Sequence, residues 1–516
     1  MTVLAQLTPP PPELLTPRVE FLGVAPDVVL AGTALLVIAL LSVAHRWPGV
    51  RRLTMPLSVV GLGVAGGFLT KAWSDVTDVG PYQTLGGMVA VDGFSVFVKT
   101  VVLAATFLAL LVAHGYLRRE GLDEGPYHAL VLLSASGMLM MASANDLIVV
   151  FLAIEVLSIA LYVLAAYHRE QAASQEAGLK YFVLGAFSSA IFLYGVAFVY
   201  GATGTTSLPG IASFLARTTL VDNVGLLVGI VLLLVGFGFK IAAVPFHMWT
   251  PDVYQGAPTP VTAFMASGTK AAAFAGLLRV LFEAFGTYRL DWQPLVWGLA
   301  AVTMVVGSLV AIVQTDVKRM LAYSSISHAG FILIGVQTAT GDGASAALTY
   351  LFAYAFIVVG SFAVVTVVSA RGEVGSDLAS YRGLSVASPW VAAAFALLLF
   401  AQAGMPLTSG FVAKLAVFRA AVDQEQYALA ILGVLVAVVA AFVYLRIVVA
   451  TYLTGDTGDT GDAGDPGSGT GTADVTRLAI DWPSGLALAL AAGITLAMGV
   501  APNVILKFAE RATLLF

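Results

Sequence analysis

Apolar runs of about 20 residues recur along almost the whole of this 516-residue chain, and they leave few folds open. A helix of that length rises about 30 Å, the thickness of a bilayer's hydrocarbon core. Fourteen such runs can be marked, near 24–44, 54–72, 92–115, 127–143, 147–166, 177–200, 222–243, 258–282, 293–313, 320–338, 344–369, 387–418, 426–453 and 483–506. In lipid every backbone N–H and C=O must be satisfied within the protein, so runs of this length become helices. The expected fold is an all-α polytopic membrane protein of about 14 transmembrane helices. Composition agrees, with 59% hydrophobic and 11% charged residues, against about 25% charged in soluble domains.

Two runs look interrupted. The seventh leads into GFGFKIAAVPFHMWTPDVYQGAPTPV (236–261), where Lys240, Pro245 and His247 fall within eight residues. The twelfth contains AGMPLTSG (403–410). Interrupted apolar segments in corresponding places of two halves point to a transport site, because the freed backbone groups can line a cavity. A loose repeat at an offset near 170 supports two such halves: Asn145-Asp146 opens the fifth run and Thr315-Asp316 precedes the tenth. Lys240 beside Pro245 is echoed, in reverse order, by Lys414 beside Pro406.

The charges inside the runs carry most of the chemistry. Lys99, Lys180, Lys240, Lys270 and Lys414 lie within them, as does Glu155 in NDLIVVFLAIEVLSIALYVLAAY. A Lys or Asp at a helix centre costs roughly 2.5–3.5 kcal/mol on insertion scales, so such residues face a protein interior or a water-filled cavity. A desolvated Lys can load and release a proton near neutral pH, whereas Arg stays charged. Lys99, close after Asp92, reads as a locally paired or snorkelling residue. Lys180 begins a run and is open between function and snorkelling. Lys270 is flanked by small residues with no acid nearby, which favours an interior role. Lys240 and Lys414 adjoin the breaks, where backbone groups and water can solvate a charge. Glu155 has no cation at helical spacing and needs a partner from another helix. His247 and His328 are possible relay groups, since imidazole titrates near pH 6.5.

Other chemistry is poorly supported. The chain has no cysteine, which removes thiolate catalysis, disulfides and iron–sulfur ligation by this chain. Two isolated histidines supply too few metal ligands. No G-x-G pattern sits in a strand–turn–helix setting, and a net charge of -5 offers no basic stripe for nucleic acid. No cofactor is expected in this chain. An excess of Lys and Arg in alternate loops, among them Arg51, Arg52, Arg118, Arg119, Lys318 and Arg319, predicts both termini on the outer side. Residues 1–23 read as a Pro-rich lead, not a signal peptide, and 454–482, with TGDTGDTGDAGDPGSGTGTAD, as a flexible loop.

FKIAAVPFHMWTPDVYQGAPTPVTAFMASGTKAAAF (239–274), with MLAYSSISHAG (320–330), YRGL (381–384) and GMPLTSGFVAKLAVF (404–418), resembles the antiporter-like membrane subunits of respiratory complex I, NADH-quinone oxidoreductase. The resemblance spans roughly 90–510. DVYQGAPTPV, Lys414 where a sister subunit has Glu, and the short segment after the last run are most similar to the subunit N branch. It implies two inverted five-helix repeats, 126–285 (helices 4–8) and 286–453 (helices 9–13), with helices 7 and 12 broken. Helices 1–3 would occupy 24–125 and helix 14 would lie in 483–516. It further implies that Glu155 partners Lys240 and that Lys180, Lys270 and Lys414 belong to the proton path. NADH, FMN, iron–sulfur clusters and quinone would belong to partner subunits, in the cell's inner (plasma) membrane. The other membrane-arm subunits would be this chain's neighbours. Two rival readings share the pattern: a subunit of a multisubunit cation/proton antiporter or membrane-bound hydrogenase, and a scaffold with static ion pairs.

Overall fold

The computed structural model describes residues 19–44, 46–218, 223–369, 373, 375–453 and 480–512. The acidic loop expected at 454–482 and the Pro-rich lead fall almost wholly outside them. The first six apolar runs form α1 (Phe21–Ala44), α2 (Thr54–Asp78), α3 (Gly93–Glu120), α4 (Glu124–Ser143), α5 (Leu147–Ala165) and α6 (Ala172–Thr203). A short amphipathic helix, α7 (Leu208–Arg217), leads to α8 (Val224–Ile241), the first part of the seventh run, followed by α9 (Trp249–Gly256). The eighth run is continuous but changes pitch: α10 (Thr259–Phe264), a π-helical turn at Met265–Thr269, α11 (Lys270–Arg279) and a second π turn at Val280–Ala284. Then come α12 (Arg289–Ile312), α13 (Val317–Gln337), α14 (Gly341–Val368) and the short α15 (Leu384–Ala387). The twelfth run divides into α16 (Pro389–Ala403) and α17 (Ser409–Asp423). The chain continues as α18 (Tyr427–Tyr452), α19 (Trp482–Val500) and an amphipathic α20 (Asn503–Arg511).

Among the described residues thirteen helices are long and apolar enough to cross a membrane, and the divided twelfth run accounts for the remaining one of the fourteen. One feature was not expected: a hairpin of two three-residue strands, Tyr82–Thr84 and Val89–Val91, before α3. Segments that short leave no readable alternation in sequence.

Burial sorts the helices. Every residue in the most apolar stretch of Thr259–Ala284 is buried, against 28% in Phe21–Val43. α13 and α14 are almost as deeply enclosed, whereas α1, α2, α18 and α19 turn most of their surface outwards. Lipid supplies no hydrophobic drive between helices, so close approach relies on small residues. Gly195 and Gly229 let α6 and α8 touch backbone to backbone; a Cβ on Gly195 would lie 2.9 Å from the Leu233 nitrogen.

Helix starts are fixed by side-chain caps, which satisfy the first unpaired N–H groups. Asp92 and Ser95 form a reciprocal capping box on α3, Asp146 caps α5 at 2.8 Å from the Ile148 N–H, and Asp316 caps α13 at 2.9 Å from the Arg319 N–H. The α5 and α13 caps each belong to a larger clasp. The Leu147 N–H donates to the Thr206 carbonyl (2.9 Å) and the Leu208 N–H to that of Asn145 (3.0 Å). The Thr206 hydroxyl donates to Asp146 (2.7 Å). At α13 the Val317 N–H donates to Ser376 (2.8 Å), the Leu378 N–H to Thr315 (2.9 Å), and the Ser376 hydroxyl to Asp316. Each member of the second clasp lies 170 positions after its counterpart in the first.

Candidate functional site

Both breaks close on a left-handed residue, but they treat the freed carbonyls differently. α8 ends at Ala242 (φ 62°), where the Ala243 N–H takes the Gly238 carbonyl at 2.8 Å and the Trp249 indole N–H takes that of Phe239 at 3.0 Å. α16 ends at Gly404 (φ 89°), and there a cation fills the vacancy. The Lys414 ammonium, on α17, donates to the carbonyls of Gln402 (2.9 Å) and Ala403 (2.8 Å) and sits 4.9 Å from the centre of the Phe331 ring. A helix C-terminus, with its last carbonyls unpaired and the negative end of its dipole exposed, suits a positive charge.

Gly404 is needed twice over at this spot. Its φ is one that L side chains adopt at a cost of about 1–2 kcal/mol, and a Cβ would stand 2.8 Å from Lys414 Cδ. Gly404→Ala is therefore expected to push Lys414 off its two carbonyls while leaving every titratable group in place. Loss of proton transfer in a normally assembled complex is the outcome to look for, and wild-type transfer would refute it.

Lys240 is the penultimate residue of α8, and it turns to α5, donating to Ser158 Oγ at 2.6 Å. The rings of Tyr162, Tyr181 and Phe239 each lie 5.5 Å from its nitrogen. Glu155 stands on α5 one turn before Ser158. It makes no direct ion pair with Lys240, and Glu155 Oε1 is buried without a hydrogen-bond partner. In this structure Lys240 is held by the Ser158 hydroxyl and not by the carboxylate expected from sequence.

Lys270 follows the π turn of the most enclosed helix and is 2% exposed. It donates to the Ser325 carbonyl and, at 2.6 Å, to its hydroxyl, with the Tyr354 ring 5.3 Å away. One turn further along α13, His328 is held by Tyr350 (Nδ1 to Oη, 2.7 Å) and Tyr444 (Nε2 to Oη, 3.1 Å). The Tyr444 hydroxyl meets Ser324 Oγ at 2.6 Å, which donates to Gln402 Oε1 at 3.0 Å. Gln402 in turn supplies a carbonyl to Lys414. From His328 the hydrogen bonds run through the Tyr444 and Ser324 hydroxyls to the Gln402 side chain, and Lys414 meets the same residue at its backbone carbonyl.

The remaining candidates stand aside from that line. His247 is half-buried with Nδ1 unpartnered and has no hydrogen bond to either Lys240 or Lys270. Lys180 is 40% exposed and binds Glu176 (2.6 Å) and Asp252 (2.7 Å), the latter shared with Arg319 (2.8 Å). It is Tyr181, the next residue, that faces Lys240. Lys99 pairs with Asp27 at 2.7 Å, not with Asp92. Asp92 instead forms two 2.9 Å hydrogen bonds to Arg279, a fully buried guanidinium that also meets Glu283 at 2.9 Å. Sequence reading missed this triad, although Arg279 and Glu283 stand at helical i,i+4 spacing near the end of the eighth run. It also missed Ser158, Gln402 and Tyr444. In the loop after α14, burial works to raise Glu373, but Lys318 at 3.1 Å and two hydrogen bonds from Thr259 outweigh it and hold the carboxyl below its usual range. No cluster of potential metal ligands occurs among the described residues.

Residues 144–440 match the family described as NADH:quinone oxidoreductase/Mrp antiporter, TM. The NADH-quinone oxidoreductase subunit N of Trichlorobacter lovleyi is 42% identical over 456 residues, covering 88% of this chain and 90% of that one. The subunit N of Parafrankia sp. is 40% identical, over 99% of this chain and 98% of the other. Among solved structures, a chain in respiratory complex I from Thermus thermophilus with bound aureothin superposes with a TM-score of 0.75 and 33% identity, over 93% of this chain and 98% of its own length. A fold of buried lysines around two broken helices, and relatives of this length and likeness, lead to one assignment: the chain belongs to the NADH:quinone oxidoreductase/Mrp antiporter transmembrane family, as a member of its complex I subunit N branch.

Proposed function

We propose that this subunit moves protons outward along Lys240, Lys270, His328 and Lys414, driven by electron transfer in partner subunits of a proton-pumping NADH-quinone oxidoreductase. The observation that carries this reading is the buried polar cluster in which His328 meets Tyr444, Tyr444 meets Ser324, Ser324 donates to the Gln402 side chain, and Lys414 donates to the Gln402 backbone carbonyl. NADH, FMN, the iron–sulfur clusters and quinone belong to those partners. This chain's own work is electrostatic. An ionised Glu155 favours the protonated form of Lys240. When that influence weakens, the proton is released towards Lys270, passes by the Ser325 hydroxyl to His328, and reaches the carbonyl cradle of Lys414. Raising one charge against the membrane potential takes about 2.3 kcal/mol per 100 mV, which the coupled reaction must supply. Lys180 acts at the periphery, holding Asp252 and the α9 segment in place, and His247 solvates the break.

Two inverted five-helix repeats, with both termini on the outer side, complete the proposed organisation. The paired clasps support it: α5 and α13 begin five spans apart, hence on opposite faces of the membrane, with matching hydrogen bonds 170 positions apart. Removing one link tests the line. Tyr444→Phe keeps the ring and deletes the hydroxyl shared by His328 and Ser324. Proton pumping by the assembled complex is expected to fall about tenfold or more while quinone reduction persists in uncoupled membranes. Unchanged pumping would exclude this route.

A further inference from the structure

The proton line leaves one well-formed feature unused. A groove runs down the outside of the bundle between α2 and α3, bordered at one end by the start of α19, in two lobes of about 810 and 680 Å³. The lobes adjoin along Val59 and Phe107, which line both. Its floor is bare at Gly63 and Gly66, where a Cβ would meet no atom within 4 Å. At its mouth Arg51, Arg52 and Arg118 come together beside an exposed Trp482. Two acids share that mouth: Asp123 is 3.5 Å from Arg51, and Glu124 is 2.9 Å from Arg118 and 3.5 Å from His114. Arg52 has no ion pair among the described residues, so a cationic excess remains.

We propose that this groove binds an anionic phospholipid from the leaflet at the α2 N-terminus. Its phosphodiester lies against Arg51, Arg52 and Arg118, and one acyl chain lies along the Gly63 and Gly66 floor. The chemistry and the dimensions agree. Guanidinium groups bind phosphate oxygens in a bidentate fork, and tryptophan marks the headgroup level. From Met55 to Gly66 the helix descends about 16 Å, the depth of half a hydrocarbon core and of one acyl chain. A neighbouring protein helix would have to bring an acid of its own to the arginine level. A lipid of that leaflet carries its phosphate there by construction.

The test uses the whole complex in nanodiscs doped with phosphatidylglycerol carrying a photoactivated diazirine in the acyl chain, or with the matching phosphatidylcholine. Labelled residues on α2 and α3 are then read by mass spectrometry. Phosphatidylglycerol is expected to label the stretch around Gly63 and Phe107 on the order of tenfold more than phosphatidylcholine, since each arginine near the surface is worth a factor of about five for an anionic lipid. An R52Q/R118Q variant should bring the ratio close to one. A G63L/G66L variant, with its arginines intact, should lose the label from both lipids. Equal labelling by the two lipids in the wild type, or a preference untouched by R52Q/R118Q, overturns the proposal. So does a Gly63→Cys side chain that cross-links to a neighbouring subunit and not to lipid.

Discussion

Proton transfer through the subunit is expected to fall on the order of 100-fold or more when Lys240 is replaced by Ala. The size follows from what is removed. Lys240 is the lysine at the first break, and the residue is 5% exposed, its ammonium held by Ser158 and three aromatic rings. Tyr162 and Tyr181 stand beside it but bring no cation, and His247 makes no hydrogen bond to Lys240. Lys240→Arg should fail as well, because a guanidinium keeps the charge but cannot release the proton. Ser158→Ala should fall between, through loss of a hydrogen bond to a charged group worth about 1.5–3 kcal/mol. The measurement is dye-detected acidification of vesicles containing the purified complex, normalised to NADH oxidation. A scaffold with static ion pairs would pump normally in the Arg variant, and that result would sink the proton-path reading.

A different loss is expected at Arg279. Replacing it with Met removes the guanidinium that stands between Asp92 and Glu283, and breaking a buried pair in this way costs about 3–5 kcal/mol. The cation also ties α11 to the first turn of α3 and to the Ala142 carbonyl at the end of α4. Arg279→Met should therefore lower the amount of assembled complex and its thermal midpoint. Arg279→Lys, which keeps the charge, should recover part of the loss. If assembly is normal in the Met variant but pumping stops, Arg279 belongs to the path and not to the frame.

The contrast between these two sites shows what the sequence could and could not disclose. Runs of apolar residues gave the helices because lipid allows a long run little else, and the breaks were visible because Pro245, Pro406 and Gly404 interrupt such runs. Lys240, Lys270 and Lys414 were visible because an ammonium in that setting demands an explanation. Their partners were not. Ser158 lies 82 positions from Lys240, Tyr444 lies 116 from His328, and Asp92 lies 187 from Arg279. A serine, tyrosine or glutamine in an apolar run is too ordinary to stand out until the packing shows which face it occupies. Arg279 was overlooked for a related reason: near the end of a run it reads as an interfacial charge. Lys180, left open between function and snorkelling, is a lysine inside an apolar run whose head reaches a partly exposed ion cluster.

The aromatic group at the first break has one more consequence. Tyr181 stacks on the Trp249 indole with ring centres 4.6 Å apart, and Trp249 meets Tyr254 edge-on at 6.1 Å. These rings stand between the pocket of Lys240 and the serine that holds Lys270, whereas the second half is connected by hydroxyls. In electrical terms the protein combines a conductor with an insulator in series. If protons take the proposed path, a membrane under load would be protected from short circuit, and charge would cross only when the insulating section is briefly wetted. Back-leak at high potential should accordingly be set by the packing of three rings.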